Sequence, residues 1–392
     1  MFPKLGKKEV LLKKTSLAGI YIHIPFCKKA CVYCDFHFST SMKNKTELIG
    51  CINKELKEKK QYLNTNSIQT IYFGGGTPSV LNQEELTSIL STIKKEYKVD
   101  DSAEITLEAN PDDLTPEKLA IIWGSGVNRL SIGIQSFIAR DLAFMNRSHT
   151  ILQATNAIRY AKEIGFNNIT IDLIYGIPNL TDIEWKRNIK KALELDVNHI
   201  SAYCLTSEER TAMHHDIAKG KYELPSEDIT SQQFKTLVST LEENGYEQYE
   251  ISNFSKKGHN SRHNSSYWKQ THFLGVGPSA HSFNGKTRRW NVSNNARYIK
   301  GANEDNWIAD EEVLDEQTRY NEYVMTSLRT SWGIDSLFIK SNFSSRFMAH
   351  FTKESKRFIL DNSLIQRGNT FTLSQSGKLL ADRIASELFW VD

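Results

Sequence analysis

From Gly19 to about Phe254, short runs of β-branched and aromatic residues alternate with longer amphipathic stretches. That alternation restricts the chain to βα units laid side by side around a mainly parallel sheet. The runs that read as strands are Ile20 to Ile24, Thr70 to Phe73, Ile105 to Glu108, Arg129 to Ile134, Ile169 to Ile174, His199 to Leu205 and Gln248 to Ile251. Helical patterns such as Lys45 to Tyr62 and Glu84 to Tyr97 lie between them. This count fits an α/β fold built as a partial (β/α)6-type barrel better than a doubly wound sheet. Past Asn284 the pattern becomes helix-rich, with a β-hairpin expected from Leu364 to Leu373 around Arg367, Gly368 and Asn369. The expected division is an N-terminal extension over 1–18, the barrel and the segment after it over 19–284, and a smaller helix-rich domain over 285–392.

Parallel barrels carry their chemistry where strands end and loops begin. The second run is followed by Gly74, Gly75, Gly76, Thr77 and Pro78; Glu108 and Asn110 end the third; Gln135 ends the fourth; Asp172 lies in the fifth. A glycine run after a strand lets a ligand approach the backbone closely, and it equally suits a simple tight turn.

Composition narrows the function classes without naming one. The 392 residues, 39% of them hydrophobic, suffice for a large core and a smaller one. Forty-nine basic residues nearly balance 46 acidic ones, a formal net charge of +3, so no global pull toward nucleic acid or anionic lipid is expected. A winged-helix-like nucleic-acid reader in the C-terminal part is disfavoured, because no basic reading helix is seen there. No run approaches the roughly 20 apolar residues of a spanning helix, so no transmembrane segment is expected. The lysine-rich start is not followed by an unbroken apolar stretch, since His23, Pro25 and Cys27 interrupt it, and no export signal is read. Five cysteines, an odd number with three crowded together, do not make a disulfide framework. The expected compartment is the reducing cytoplasm.

Cys27, Cys31 and Cys34 have the spacing C-x3-C-x2-C in a loop directly after a strand. Three soft thiolates so close together imply a metal centre. Three buried structural thiols would be the bland alternative, but such cysteines are usually scattered, as Cys51 and Cys204 are. A zinc site completed by His23 or His37 is the rival, although structural zinc usually shows two ligand knuckles and only one is visible. Three protein ligands to a four-iron cluster leave one iron open to chelation by a cofactor.

The segment YIHIPFCKKACVYCDF resembles the cluster loop of the radical S-adenosylmethionine (SAM) superfamily, in its oxygen-independent coproporphyrinogen dehydrogenase-like branch. The resemblance continues through GGGTP, LEANP, GIQSF, NRSH, IDLIYG, GYEQYEISNF and TLSQSGKLLADRIASEL, which is nearly the whole chain. It implies a 4Fe-4S cluster on Cys27, Cys31 and Cys34, and SAM contacts from Tyr21, Tyr33, Gly75, Gly76, Thr77, Glu108, Gln135, Arg147 and Asp172. The residue types suit those roles: carboxylates and amides accept hydrogen bonds from hydroxyl or ammonium groups, and Arg147 can pair with a carboxylate. The same polar groups could also simply satisfy one another inside a barrel mouth.

The dehydrogenases of this branch are expected to carry a fourth cysteine where this chain has Phe36. That departure puts the decarboxylating activity in doubt and resembles the heme chaperones of the branch, which implies heme, heme-acceptor proteins and an electron donor such as a flavodoxin or ferredoxin as partners. His259, His263, His272 and His281 fall in one segment, and HNSSYW from His263 to Trp268 is similar to the HNxxYW signature of that group. Histidine is a common axial ligand of heme iron, so His263 is the expected heme contact.

Overall fold

The computed structural model describes residues 17–63, 65 and 67–391. The expected N-terminal extension therefore lies outside the described residues, except for its last two, of which Ala18 already opens the first strand.

Six parallel strands follow one another in sequence and in space: β1 (Ala18–Ile24), β2 (Ser67–Gly75), β3 (Lys98–Ala109), β4 (Arg129–Gln135), β5 (Ile169–Tyr175) and β6 (His199–Cys204). Between them run α1 (Lys45–Glu58), α2 (Gln83–Glu96), α3 (Pro116–Gly124), α4 (Ala139–Phe144), α5 (Ile151–Ile164) and α6 (Asp182–Glu194). Three of these helices begin in full capping boxes, Asn82 with Glu85, Thr150 with Gln153 and Thr181 with Glu184. Each box satisfies two otherwise orphaned backbone donors and stabilises its helix by about 1 kcal/mol.

The strands alternate with period 2. Ile20, Ile22, Ile71, Phe73, Ile132, Ile134, Ile171 and Leu173 are fully buried under the helices. The residues between them turn to the concave face and are polar: Thr70 and Tyr72, Thr106 and Glu108, Arg129 and Ser131, Thr170 and Asp172, His199 and Ser201. Such an interior holds together only if its polar groups find partners. Arg129, 1% exposed, donates to Thr106 and Thr170 and lies 3.9 Å from Glu104.

After α7 (Ala212–Ala218) and α8 (Glu227–Glu243), the antiparallel strands β7 (Glu247–Glu250) and β8 (Asn253–Ser255) extend the sheet beyond β6. α9 (Arg262–Trp268) precedes β9 (His272–Val276), which pairs with β1 in parallel. β10 (His281–Phe283), β11 (Thr287–Asn291) and β12 (Ala309–Val313) continue that edge, giving one open twelve-stranded sheet, and α10 (Asn295–Asn303) packs on α1. The barrel is therefore partial, as expected.

The change of pattern at Asn284 does not mark the end of the large core. Both β11 and β12 belong to the main sheet, and Tyr298, Ile299 and Ala302 belong to its hydrophobic core. A second core begins only with α11 (Glu316–Leu328), around Tyr320, Val324, Phe347, Phe351, Ile384 and Leu388. It is built from α12 (Ser336–Asn342), α13 (Ser345–Leu360), α14 (Gln375–Lys378), α15 (Ala381–Leu388) and a small sheet of β13 (Ile334–Asp335), β14 (Leu364–Arg367) and β15 (Thr370–Leu373). The last two form the expected hairpin. The pattern change precedes the end of the large core because TRRWN and ADEEV, the sequences of β11 and β12, lack an apolar alternation: β12 is a charged, exposed edge strand of the kind that discourages further pairing.

Candidate cofactor site

The loop after β1 closes on itself before it presents its cysteines. Cys27 N–H donates to Ser39 O at 3.0 Å and Ser39 N–H to Pro25 O at 2.9 Å. Val32 N–H donates to Met145 O at 3.3 Å, and the Asn146 side chain donates to Ala30 O at 2.7 Å. Lys28 is ion-paired with Asp112 and Asp113. The loop is thus tied to the turn after β3 and to the segment after α4.

A cavity of about 470 Å³ opens at the C-terminal ends of the strands, and Cys27, Cys31 and Cys34 all line it. Tyr33, Gly75, Gly76, Thr77, Glu108, Gln135, Arg147 and Asp172 line the same cavity. Tyr21 does not: it sits deeper in the barrel, its ring stacked on Tyr72 at 6.1 Å and its hydroxyl 3.3 Å from His23 Nδ1. Asn110, one of the strand-end candidates, also faces it, as do Tyr203 and Cys204 at the end of β6, which the sequence does not single out. Their position at strand ends was the available signal.

The glycines serve the chain before they serve any ligand. A Cβ on Gly75, whose φ is +105°, would lie 2.6 Å from the His23 ring, and one on Gly76 would lie 2.8 Å from the backbone of Phe26. Close packing of β1 and the cysteine loop against the end of β2 therefore already demands glycine at both positions. Gln135 has φ +68°, a left-handed conformation uncommon outside glycine, and it occurs at the cavity wall.

Two of the sulfurs are held by donors. Thr77 Oγ1 donates to Cys27 Sγ at 3.2 Å, and Arg147 Nη1 donates to Cys31 Sγ at 3.3 Å. Arg147 Nη2 also donates to Asn110 Oδ1 at 2.6 Å and Gly133 O at 2.7 Å, while its buried Nε has no partner. Burial pushes the Cys27 thiol up and the Cys34 thiol up to about 11. Both ring nitrogens of His23 are engaged, Nε2 2.9 Å from His37 O and Nδ1 3.3 Å from Tyr21 Oη, and His37 Nε2 is 2.8 Å from Asn295 Oδ1. Among the described residues no three His, Cys, Asp or Glu side chains converge as a single-ion site.

Opposite the cysteines stand two carboxyls. Burial pushes Glu108 up to about 7, against the hydrogen bond from Tyr72, and Asp172 up to about 6, against Arg129 and Arg147. Tyr72 donates to Glu108 Oε1 at 2.7 Å. Three thiols, two of them with hydrogen-bonded sulfurs, a guanidinium with one orphaned N–H and a pair of poised carboxyls fit the donor and acceptor chemistry of a cluster with an amino-acid-bearing cofactor.

His263 is the residue the structure moves most. It is 1% exposed and lies inside the barrel, not on a surface open to a porphyrin. Its Nδ1 is 2.8 Å from Thr70 Oγ1 and its Nε2 is 2.8 Å from Tyr267 Oη, so both ring nitrogens are already engaged. Burial lowers its pKa to about 3, which keeps the ring neutral. A buried imidazole without a free lone pair does not fit as an axial ligand. Of the other three histidines in that segment, His259 lies 3.4 Å from the Asn198 amide, His272 is half-buried, and His281 is exposed, stacked on Trp290 at 6.0 Å.

A fold of this kind with a cysteine loop after β1 defines a radical SAM protein, and the model of the Radical SAM superfamily matches residues 21–192. The chain is 35% identical to Heme chaperone HemW of Lactococcus lactis subsp. lactis over 88% of each chain. It is 32% identical to Heme chaperone HemW of Bacillus subtilis over 94% of this chain and 98% of the relative. It belongs to the HemW family within the radical SAM superfamily. The solved structure of coproporphyrinogen III oxidase (HemN) from Escherichia coli shares the fold, with a TM-score of 0.82 over 95% of this chain and 90% of the other at 21% identity.

Proposed function

We propose that this protein is a heme chaperone: it binds heme, passes it to acceptor proteins, and carries a SAM-binding 4Fe-4S cluster on Cys27, Cys31 and Cys34. The near full-length likeness to heme chaperones carries this reading. Phe36 agrees with it. The ring is 66% exposed at the cavity rim, where the resemblance places a fourth cysteine in the decarboxylating enzymes, and a phenyl group supplies no thiol there.

When bound, the cluster supplies an open iron for SAM and one electron for its sulfonium. The chain's own contribution is positional. Thr77 and Arg147 fix the orientation of Cys27 and Cys31. Gly75 and Gly76 leave backbone accessible beside them, and Tyr33, Gln135, Glu108 and Asp172 line the remaining wall. Arg147 offers its unpartnered Nε to a carboxylate. Tyr21 supports this wall from behind. A flavodoxin or ferredoxin is the class of electron donor, and the reducing cytoplasm the compartment, that this reading implies. Among the described residues no helix is long and apolar enough to cross a membrane.

Anaerobically reconstituted protein with SAM and reductant, followed for heme absorbance and for decarboxylation of coproporphyrinogen, tests the proposal. Stoichiometric heme uptake without decarboxylation is expected; repeated turnover would overturn it in favour of the dehydrogenase. Alanine at Cys27, Cys31 and Cys34 together should abolish the iron-sulfur absorbance, and retention of four irons would refute the cluster assignment. His281→Ala is the histidine variant expected to alter the heme spectrum, because that ring alone among the four is exposed.

A further inference from the structure

The HNSSYW segment is α9 itself, and α9 plugs the barrel from below. Glu104, on the concave face of β3, accepts the backbone N–H of Arg262 at 3.1 Å and of His263 at 3.0 Å, so a buried carboxylate holds the first turn of the helix. The imidazole then lies over Gly19, where a Cβ would stand 3.2 Å from the ring and 2.6 Å from Thr70 Oγ1. The lack of a side chain at Gly19 makes the space that the ring occupies. His263 stacks on Tyr72 at 4.9 Å with the planes 23° apart, and Tyr267 meets His263 edge-on at 4.9 Å. Tyr72 in turn donates to Glu108, a cavity-lining carboxyl.

We infer that His263 is a positioning residue for the SAM pocket, acting through Tyr72 on Glu108, and that the HNSSYW segment serves the cofactor site from inside the barrel. This inference rests on the reading of the cavity as a SAM site. The physical basis is pre-organisation. A phenol with one rotatable ring torsion holds a carboxylate in place only if the ring is itself fixed, and His263 fixes it with a stacked face and two hydrogen bonds that lock its own orientation.

The test is SAM affinity, measured by calorimetry on anaerobically reconstituted full-length protein, with iron content and heme uptake followed in parallel. His263→Leu and Tyr72→Phe are each expected to weaken SAM binding about five- to tenfold, the range a lost buried hydrogen bond gives. The double variant should be no weaker than the weaker single one, because the two residues act in series. Iron content and heme uptake should stay at wild-type levels. His350→Leu removes a half-buried histidine bonded to Phe389 O at 2.9 Å in the second core, outside this chain of contacts, and should leave SAM affinity unchanged. If His263→Leu does not fold, Thr70→Val removes only the partner of Nδ1 and should weaken SAM about twofold to fivefold. Unchanged SAM affinity in these variants, additive losses in the double variant, or an equal loss in His350→Leu overturns the inference. Wild-type protein that loads its cluster but binds no SAM refutes the SAM reading beneath it.

Discussion

At the scale of single residues, the site is governed by what burial does to titratable groups. Glu108 is pushed up to about 7 and Asp172 to about 6, chiefly by burial. In the ligand-free protein the folded state therefore holds protons that the unfolded chain releases near pH 4. Their contribution favours folding most below about pH 4 and is lost as pH rises toward about 7. Glu108→Gln removes one of these groups. Cluster-free Glu108→Gln protein should gain on the wild type by on the order of 1–2 kcal/mol between pH 5 and pH 7.5, read from urea midpoints at both values. A wild-type and variant pair with parallel pH profiles would show that Glu108 is not strained by burial. The identities of these residues were legible in the sequence because chemistry concentrates at strand ends. The engagement of both His263 nitrogens was not, since Thr70 and Tyr267 approach the ring from β2 and from one helical turn away.

At the scale of elements, buried carboxylates act as pins. Glu55 on α1 is fully buried and accepts from Gly277 N at 2.9 Å, Asn291 Nδ2 at 2.8 Å, Arg289 Nη1 at 3.3 Å and Tyr298 Oη at 2.7 Å. It ties α1 to the β9 to β11 edge and to α10. Glu55→Ala would strand an arginine, an amide and a phenol in the interior, and should cost about 3–5 kcal/mol by chemical denaturation. Hydrogen exchange at Asn291 and Gly277 should rise first, because those amides lie on the edge that Glu55 holds. Nothing in the local sequence of α1 announces this role: KTELIGCINKELKE reads as an ordinary amphipathic helix, and Glu55 lies on its buried face beside Ile52 and Leu56. The capping boxes of α2, α5 and α6, by contrast, are local signals that the sequence displays in full.

At the scale of the whole molecule, two hydrophobic cores are joined by a polar seam. Arg329, just after α11, lies 3.3 Å from Glu250 of β7 and 2.9 Å from Asp382 of α15, with its guanidinium over Trp268 of α9 at 5.6 Å. Glu250 is 2% exposed and the Asp382 side chain 86%. Arg329→Ala leaves Glu250 buried and unpaired, and should destabilise the protein by about 3 kcal/mol in thermal or chemical unfolding. Asp382→Ala removes only an exposed partner and should cost less than about 1 kcal/mol. Equal losses would mean that the seam depends on charge at the surface.

The sequence by itself determined the six βα units, the C-x3-C-x2-C loop and the strand-end residues Gly75, Gly76, Thr77, Glu108, Asn110, Gln135 and Asp172 of the cavity wall, because period-2 alternation, capping residues and strand-end chemistry are all short-range; Tyr33 and Arg147 came from the family resemblance. Tertiary structure alone decided that β11 and β12 join the large sheet, that Gly75 and Gly76 are required by His23 and Phe26, and that the HNSSYW helix enters the barrel. Those facts rest on contacts between residues tens to hundreds of positions apart. Edge pairing, close packing and the matching of buried donors to acceptors are settled only when distant segments meet.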